Sequence, residues 1–312
     1  MTTVAALAGG VGAARFLRGL IEVVPPHQVA AVVNTGDDVV LHGLHVSPDL
    51  DTVLYTLTDR INPETGWGRA GETWTVMDAL EELGGETWFR LGDRDLATHL
   101  YRTHRLGQGT PLSGVTADLA RALGLAVRLL PVTDDRLETR VTVPGHGEIG
   151  FQDYFVARRH AVPVTRVRFD GAETARPGPG VLEALAEADT VVVCPSNPVV
   201  SIGPVLAVPG VREALVARRD AAVAVSPIVA GAALKGPADR LLTELGHESS
   251  VVGIARLYAD LVATLVVDHA DAALASAVEA EGLRCIVAPA IMRGRAEAAA
   301  LARVVLDART AV

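Results

Sequence analysis

Residues able to do chemistry gather at four places in the first third of the chain: Gly9-Gly10-Val11-Gly12 with Arg15, Asn34-Thr35-Gly36-Asp37-Asp38, Ser47-Pro48-Asp49-Leu50-Asp51-Thr52, and Arg90-Leu91-Gly92-Asp93-Arg94-Asp95. A glycine loop between a strand and a helix offers backbone N–H groups and the positive helix end to a phosphate, and the missing Cβ atoms permit close approach. The loop at Gly9, Gly10 and Gly12 has no following Gly-Lys-Ser/Thr, and Arg15 stands where a dinucleotide fingerprint would place its third glycine. Arg15 offers a cation to an anion instead. Asp37 and Asp38 on one loop, with Asp49 and Asp51 on another, suit magnesium, which uses one or two carboxylates together with substrate phosphate oxygens. Helix capping is the competing role for Asp49 or Asp51, and it explains Asp37 less well. The Gly92-Asp93-Arg94-Asp95 segment reads as an ion-pair network or as a solvated turn capped by Asp95, with Arg90 ahead of it free to meet an acceptor or a phosphate.

A second group lies further on. Cys194-Pro195-Ser196-Asn197-Pro198, Ser201-Ile202-Gly203-Pro204 and Ser226-Pro227-Ile228 offer hydroxyl, amide and backbone groups able to read a base edge, and Lys235 offers a charge to a phosphate. His42, His45, His99 and His104 lack the spacing of zinc ligands, no Gly-x-Ser-x-Gly elbow occurs, and neither Cys194 nor Cys285 has an activating partner.

These groups need elements to hold them. Val4–Leu7 reads as a strand ending in the glycine loop, Ala13–Val23 as a helix, and Val29–Val33 as a buried strand that delivers Asn34 to Asp38 at its C-terminal end. Helices are expected over 51–61, 75–83, 96–106 and 115–123, and a strand over 126–130. Residues 138–168 read as a β-hairpin insertion, with 149–155 extended. Strands at 190–194, 221–225, 264–267 and 283–287 then alternate with helices near 211–217, 238–245, 270–281 and 295–308. The alternation predicts an α/β fold: a Rossmann-like three-layer sandwich, mainly parallel, forming one domain over 1–312 with that β-rich insertion.

Composition narrows the function. With 312 residues and 49% hydrophobic content a large core is assured, and a net charge of -9 argues against a nucleic-acid-coating surface. Two distant cysteines indicate a reducing cytoplasm, and the prolines and polar residues of the uncharged stretch 190–211 argue against a membrane span.

Taken together, Ser47–Tyr55, Leu91–His99, Pro195-Ser196-Asn197-Pro198, Ser201–Pro204, Ser226-Pro227-Ile228 and Lys235–Ala238 resemble the 2-phospho-L-lactate transferases and their actinobacterial phosphoenolpyruvate transferase counterparts of coenzyme F-420 biosynthesis. The resemblance covers nearly the whole chain. It implies transfer of a phosphoenolpyruvyl or 2-phospho-L-lactyl group from a guanosine-diphosphate-linked donor to the deazaflavin FO, with loss of GMP. It further implies magnesium held by Asp37 and Asp51, FO contacted by Asp51 and Arg90, donor phosphates on Gly9, Gly10, Gly12 and Lys235, guanosine on Ser196, Asn197 and Ser201, and a homodimer. Composition resembling actinobacterial proteins favours the enolpyruvyl donor. The rival is a nucleotide-sugar-binding regulator of the same fold; a nicotinamide oxidoreductase is disfavoured by the incomplete fingerprint.

Overall fold

The computed structural model describes residues 2–310. Seven short runs rich in small and β-branched residues form one parallel sheet: β1 (Val4–Ala8), β2 (Val29–Val33), β3 (Arg128–Pro131), β4 (Thr190–Val193), β5 (Ala222–Val225), β6 (Thr264–Val267) and β7 (Arg284–Val287). Across the sheet the order is β3-β2-β1-β4-β5-β6-β7. Parallel neighbours require crossover connections, whose helices cover both faces, so the central strands are buried along their length. Each buried valine of β2 contributes roughly 1.5–3 kcal/mol over an exposed one.

Alternation along β1 sorts its side chains between two cores. Val4, Ala6 and Ala8 join α1 (Gly10–Leu20), α2 (Pro48–Leu57) and the C-terminal helix Arg295–Thr310 on one face. Ala5 and Leu7 join helices Val181–Glu187, Val211–Ala217 and Val251–Tyr258 on the other. This is the three-layer α/β sandwich expected. The remaining helices of the first half are α3 (Thr75–Glu82), α4 (Asp93–Gly107) and α5 (Leu112–Ala122).

The strand order reverses between β1 and β4, and such a reversal opens a ligand crevice outside the C-terminal strand ends. Gly9 to Gly12 leave β1 there and Cys194 to Asn197 leave β4 there.

Four expectations need correction. The insertion is a three-stranded antiparallel sheet, with Glu138–Val143 between Gly147–Gly150 and Arg166–Asp170. Residues 149–155 are not extended throughout: the chain turns helical after Gly150, with a wide turn over Asp153–Ala157. Aromatic residues favour strands, but spacing of three and four places Phe151, Tyr154 and Phe155 on one side of a helix, where Phe151 and Tyr154 bury against Val141, Val143 and Leu241. The helix expected over 270–281 is divided into a 3-10 segment, His269–Leu274, and an α-helix, Ala275–Ala280. Helices Val181–Glu187 and Val251–Tyr258 lie where the sequence predicts none, and the helices expected from 13, 51, 96 and 115 each start three residues early, at Gly10, Pro48, Asp93 and Leu112. Among the described residues no single helix is long and apolar enough to cross a membrane.

The insertion is fastened at two places. Arg240 donates to the His160 and Val162 carbonyls and pairs with Glu244 at 2.5 Å, while Glu244 accepts the Val164 N–H at 2.8 Å. Thr139 donates its N–H to the Gly36 carbonyl at 2.6 Å, and Gln152 donates to the Asp37 carbonyl at 3.2 Å.

Candidate active site

Gly10, at φ +70°, turns β1 into α1 through a conformation that glycine adopts without a Cβ clash. A Cβ on Gly12 would collide with the Pro195 carbonyl, and one on Gly9 would lie 2.7 Å from the Ser201 Cβ. The glycines therefore let the start of α1 press against the loop leaving β4. Ser196 joins the two, its hydroxyl donating to the Gly9 carbonyl at 2.8 Å and accepting the Gly9 N–H at 3.3 Å. Asn197 accepts the N–H groups of Val199 and Val200 at 2.9 and 3.2 Å. Ser196, Asn197 and Ser201, expected to touch guanosine, thus shape the crevice wall: two brace Gly9 and one caps the next turn.

Lys235 reaches across from the loop after β5 and donates to the Thr65 carbonyl at 2.5 Å. Burial, and then the neighbouring Arg15 charge, pull its pKa below the usual lysine value. Two cations beside the start of α1 that repel each other form a site a phosphate would relieve.

Opposite them stand buried acids. Asp37 and Asp49 are each 6% exposed, and Asn34, fully buried, lies between them. Its amide donates to Asp49 Oδ2 at 2.9 Å, and its carbonyl accepts the Gly36 N–H at 2.7 Å. Burial, then the Asp49 charge, raises the pKa of Asp37 well above the usual carboxylate range, and burial pushes Asp49 up to about 6 although Asn34 and the Gly10 N–H oppose this. Asp37 Oδ1 has no hydrogen-bond partner. Asp49 does not cap its own helix, which begins at Ser47 without a side-chain cap; it serves the Gly10 N–H at the start of α1.

This carries a prediction for the protein in chelator. A folded-state pKa raised from 3.8 to about 6 means that the stability linked to Asp49 is present in full at low pH and is lost as pH rises through 6. The loss is about 3 kcal/mol. The urea midpoint should fall between about pH 3.5 and 6.5, the interval bounded by the unfolded and folded values, and Asp49→Asn should flatten that fall; an equal fall in the variant would refute the assignment.

The acid that the sequence paired with Asp37, Asp51, is engaged elsewhere. Arg102 grips it bidentately, with Nη1 to Oδ2 at 3.0 Å and Nη2 to Oδ1. Arg102 is 1% exposed and comes from α4, as do His99, whose Nδ1 is 3.2 Å from Arg102 Nη1, and Asp95, 3.4 Å from His99 Nε2. Tyr55 donates to Asp95 at 2.6 Å, so Asp95 ties α4 to α2 rather than capping α4, whose N-cap is Gly92. Asp38 faces the same network, accepting the Ser47 hydroxyl at 2.6 Å and lying 2.9 Å from His45 Nε2. Asp93 accepts the N–H groups of Thr75 and Val76 at the start of α3, both at 3.1 Å.

Arg90 does not meet Asp51. It pairs with Asp78 at 3.1 Å and stacks over Trp74 at 4.8 Å. With Trp67 and Asp95 it rims a niche of about 20 Å³, room for a water-sized group.

Residues 4–291 match the family described as 2-phospho-L-lactate transferase CofD. The chain belongs to the CofD family. Among curated relatives of this CofD chain, the phosphoenolpyruvate transferase of Streptomyces griseus is 49% identical over 306 residues, covering 96% of each chain. That of Kitasatospora aureofaciens is 48% identical over 309 residues, covering 97% of this chain and 96% of its own. That of Mycolicibacterium smegmatis is 41% identical over 316 residues, covering 96% and 97%. A crystal structure of a UPF0052 family member from Bacillus halodurans superposes with a TM-score of 0.61 at 17% identity, covering 98% of this chain and 99% of that one, which supports the fold alone.

Two residues that the structure brings to the site are not singled out by the sequence, Asn34 and Arg102. Asn34 stands in the Asn34–Asp38 motif, but its place between Asp37 and Asp49 depends on how the two acidic loops meet. Arg102 had a signal: Asp95, His99 and Arg102 recur at helical spacing, a polar stripe on one side of α4.

Proposed function

We propose that the chain transfers a phosphoenolpyruvyl group, or a 2-phospho-L-lactyl group, from a guanosine-diphosphate-linked donor to the deazaflavin FO in coenzyme F-420 biosynthesis. The products are GMP and dehydro coenzyme F-420-0, or coenzyme F-420-0. The observation that carries this reading is the buried Asp37 and Asp49 pair facing the glycine turn at the strand-order reversal. The names of the relatives favour the enolpyruvyl donor.

Magnesium fits this place. Asp37 Oδ1 is a buried oxygen without a partner, and two carboxylates with phosphate oxygens suit that ion. Among the described residues no three His, Cys, Asp or Glu side chains form a metal cluster, so substrate and water would complete the shell. Asp37 and Asp49 would hold the ion, with Asp51 locked to Arg102 behind them. Bound magnesium would neutralise charge on the transferring phosphate.

The chain's own groups supply position. Asn34 aims Asp49, Ser196 holds the glycine turn against the opposite loop, and Arg15 with Lys235 offers positive charge to the donor diphosphate. A ribityl hydroxyl oxygen bonds to the outer phosphorus as the bond from that phosphorus to the GMP oxygen breaks, and the hydroxyl proton passes to water. Arg90, stacked over Trp74 beside the niche, would stand at the acceptor side.

The test is an assay with purified protein, magnesium, FO and each guanosine-linked donor, read by mass spectrometry. A dehydro product establishes the enolpyruvyl reaction and a lactyl product the other. Unmodified FO with both active donors overturns the transferase reading in favour of a nucleotide-binding regulator.

A further inference from the structure

A cleft of about 520 Å³ lies along the outer side of α1, apart from the acids, between the 61–70 loop and the turn that precedes the C-terminal helix. Its volume falls in the range of small-molecule sites. Val11, Ile61, Pro63 and Met292 give it apolar walls, and four arginines line it.

Those arginines fall into two kinds. Arg18 and Arg295 share Asp59, and Arg295 also lies 3.6 Å from Glu22. Arg15 and Arg293 have no carboxylate partner among the described residues. Asp59 is the sole acid in the lining, against Arg15, Arg18, Arg293 and Arg295. A concave surface with this excess of positive charge, on a chain of net charge -9, concentrates anions locally. Guanidinium groups match phosphate and carboxylate oxygens bidentately, and the two without partners leave their donors to a ligand.

We infer that this cleft binds a small molecule bearing at least two phosphate or carboxylate charges, with Arg15 and Arg293 as its anion contacts. The lining excludes Gly9, Asp37, Asp49 and Ser196, so the ligand sits beside the crevice and meets it at Val11 and Arg15. Arg15 is the shared element: it faces Lys235 on one side and the cleft on the other. A ligand held there changes the charge felt by the donor diphosphate.

Calorimetric titration with inorganic pyrophosphate and, separately, with tricarballylate tests this in the wild type and in Arg293→Ser, each with and without saturating GDP. The expected result is binding that persists in GDP and weakens on the order of tenfold in Arg293→Ser. Response to pyrophosphate alone assigns a phosphate ligand, and response to both assigns a general polyanion. Binding abolished by GDP, or unchanged in Arg293→Ser at an unchanged melting temperature, or absent for both probes, overturns the inference. These outcomes do not depend on FO transfer, so failure of the cleft and failure of the proposed reaction are read separately.

Discussion

Asp37→Asn is expected to lower turnover on the order of 10³-fold while leaving the protein more stable than wild type in chelator at pH 8, by about 1–3 kcal/mol. The two effects share one cause. Asp37 is buried, has an oxygen without a partner and faces Asp49, so its charge opposes folding until a cation compensates it. An amide keeps the shape and removes the charge. Product formation at saturating magnesium and urea unfolding in chelator check the two halves. Retained turnover would remove Asp37 from the reaction, and a destabilised variant would mean that its charge is already compensated within the fold.

Arg102→Met is expected to cost about 3–5 kcal/mol, because it strands the Asp51 carboxylate without a partner in a buried setting. Asp51→Asn strands Arg102 by the same argument. The double variant Asp51→Asn with Arg102→Met should recover most of the loss, since apolar or neutral groups of similar volume often replace a buried ion pair at little cost. Urea midpoints at a shared slope measure this cycle. Additive losses in the double variant would show that the two residues act independently. Recovery in the double variant would place Asp51 in the layer supporting the acid pair, and an activity loss at Asp51 needs a stability control before it is assigned to metal binding.

The fold was legible where local pattern and burial agree. Val29–Val33 and Thr264–Val267 are uninterrupted apolar runs with turn residues beyond them, and both were read to the residue. The helix at Val251–Tyr258 was hidden because it opens with two valines and a glycine, poor helix formers; Ser250, whose hydroxyl accepts the Val252 and Gly253 N–H groups, was the available signal. At the candidate site the sequence singled out the acidic loops but not their pairing. Asp49 and Asp51 differ by two positions on one helix, about 200° apart around its axis, so which one faces Asp37 depends on how α2 is rotated. That rotation is set by Tyr55 and Arg102 reaching between α2 and α4, contacts distant in sequence.

The two fastenings of the insertion have a consequence for how motion is distributed. One end is bolted through Arg240 and Glu244 to the helix that follows the Lys235 loop, and the other rests on the Gly36 and Asp37 carbonyls. The segment is therefore a strut between the cationic and acidic sides of the crevice. The insertion gives the two sides a connection outside the parallel sheet, so hydrogen exchange at Gly36 to Asp38 should report events at the Lys235 loop. Grafting a foreign hairpin at 138–170 would sever that mechanical link unless helix 238–244 were exchanged with it.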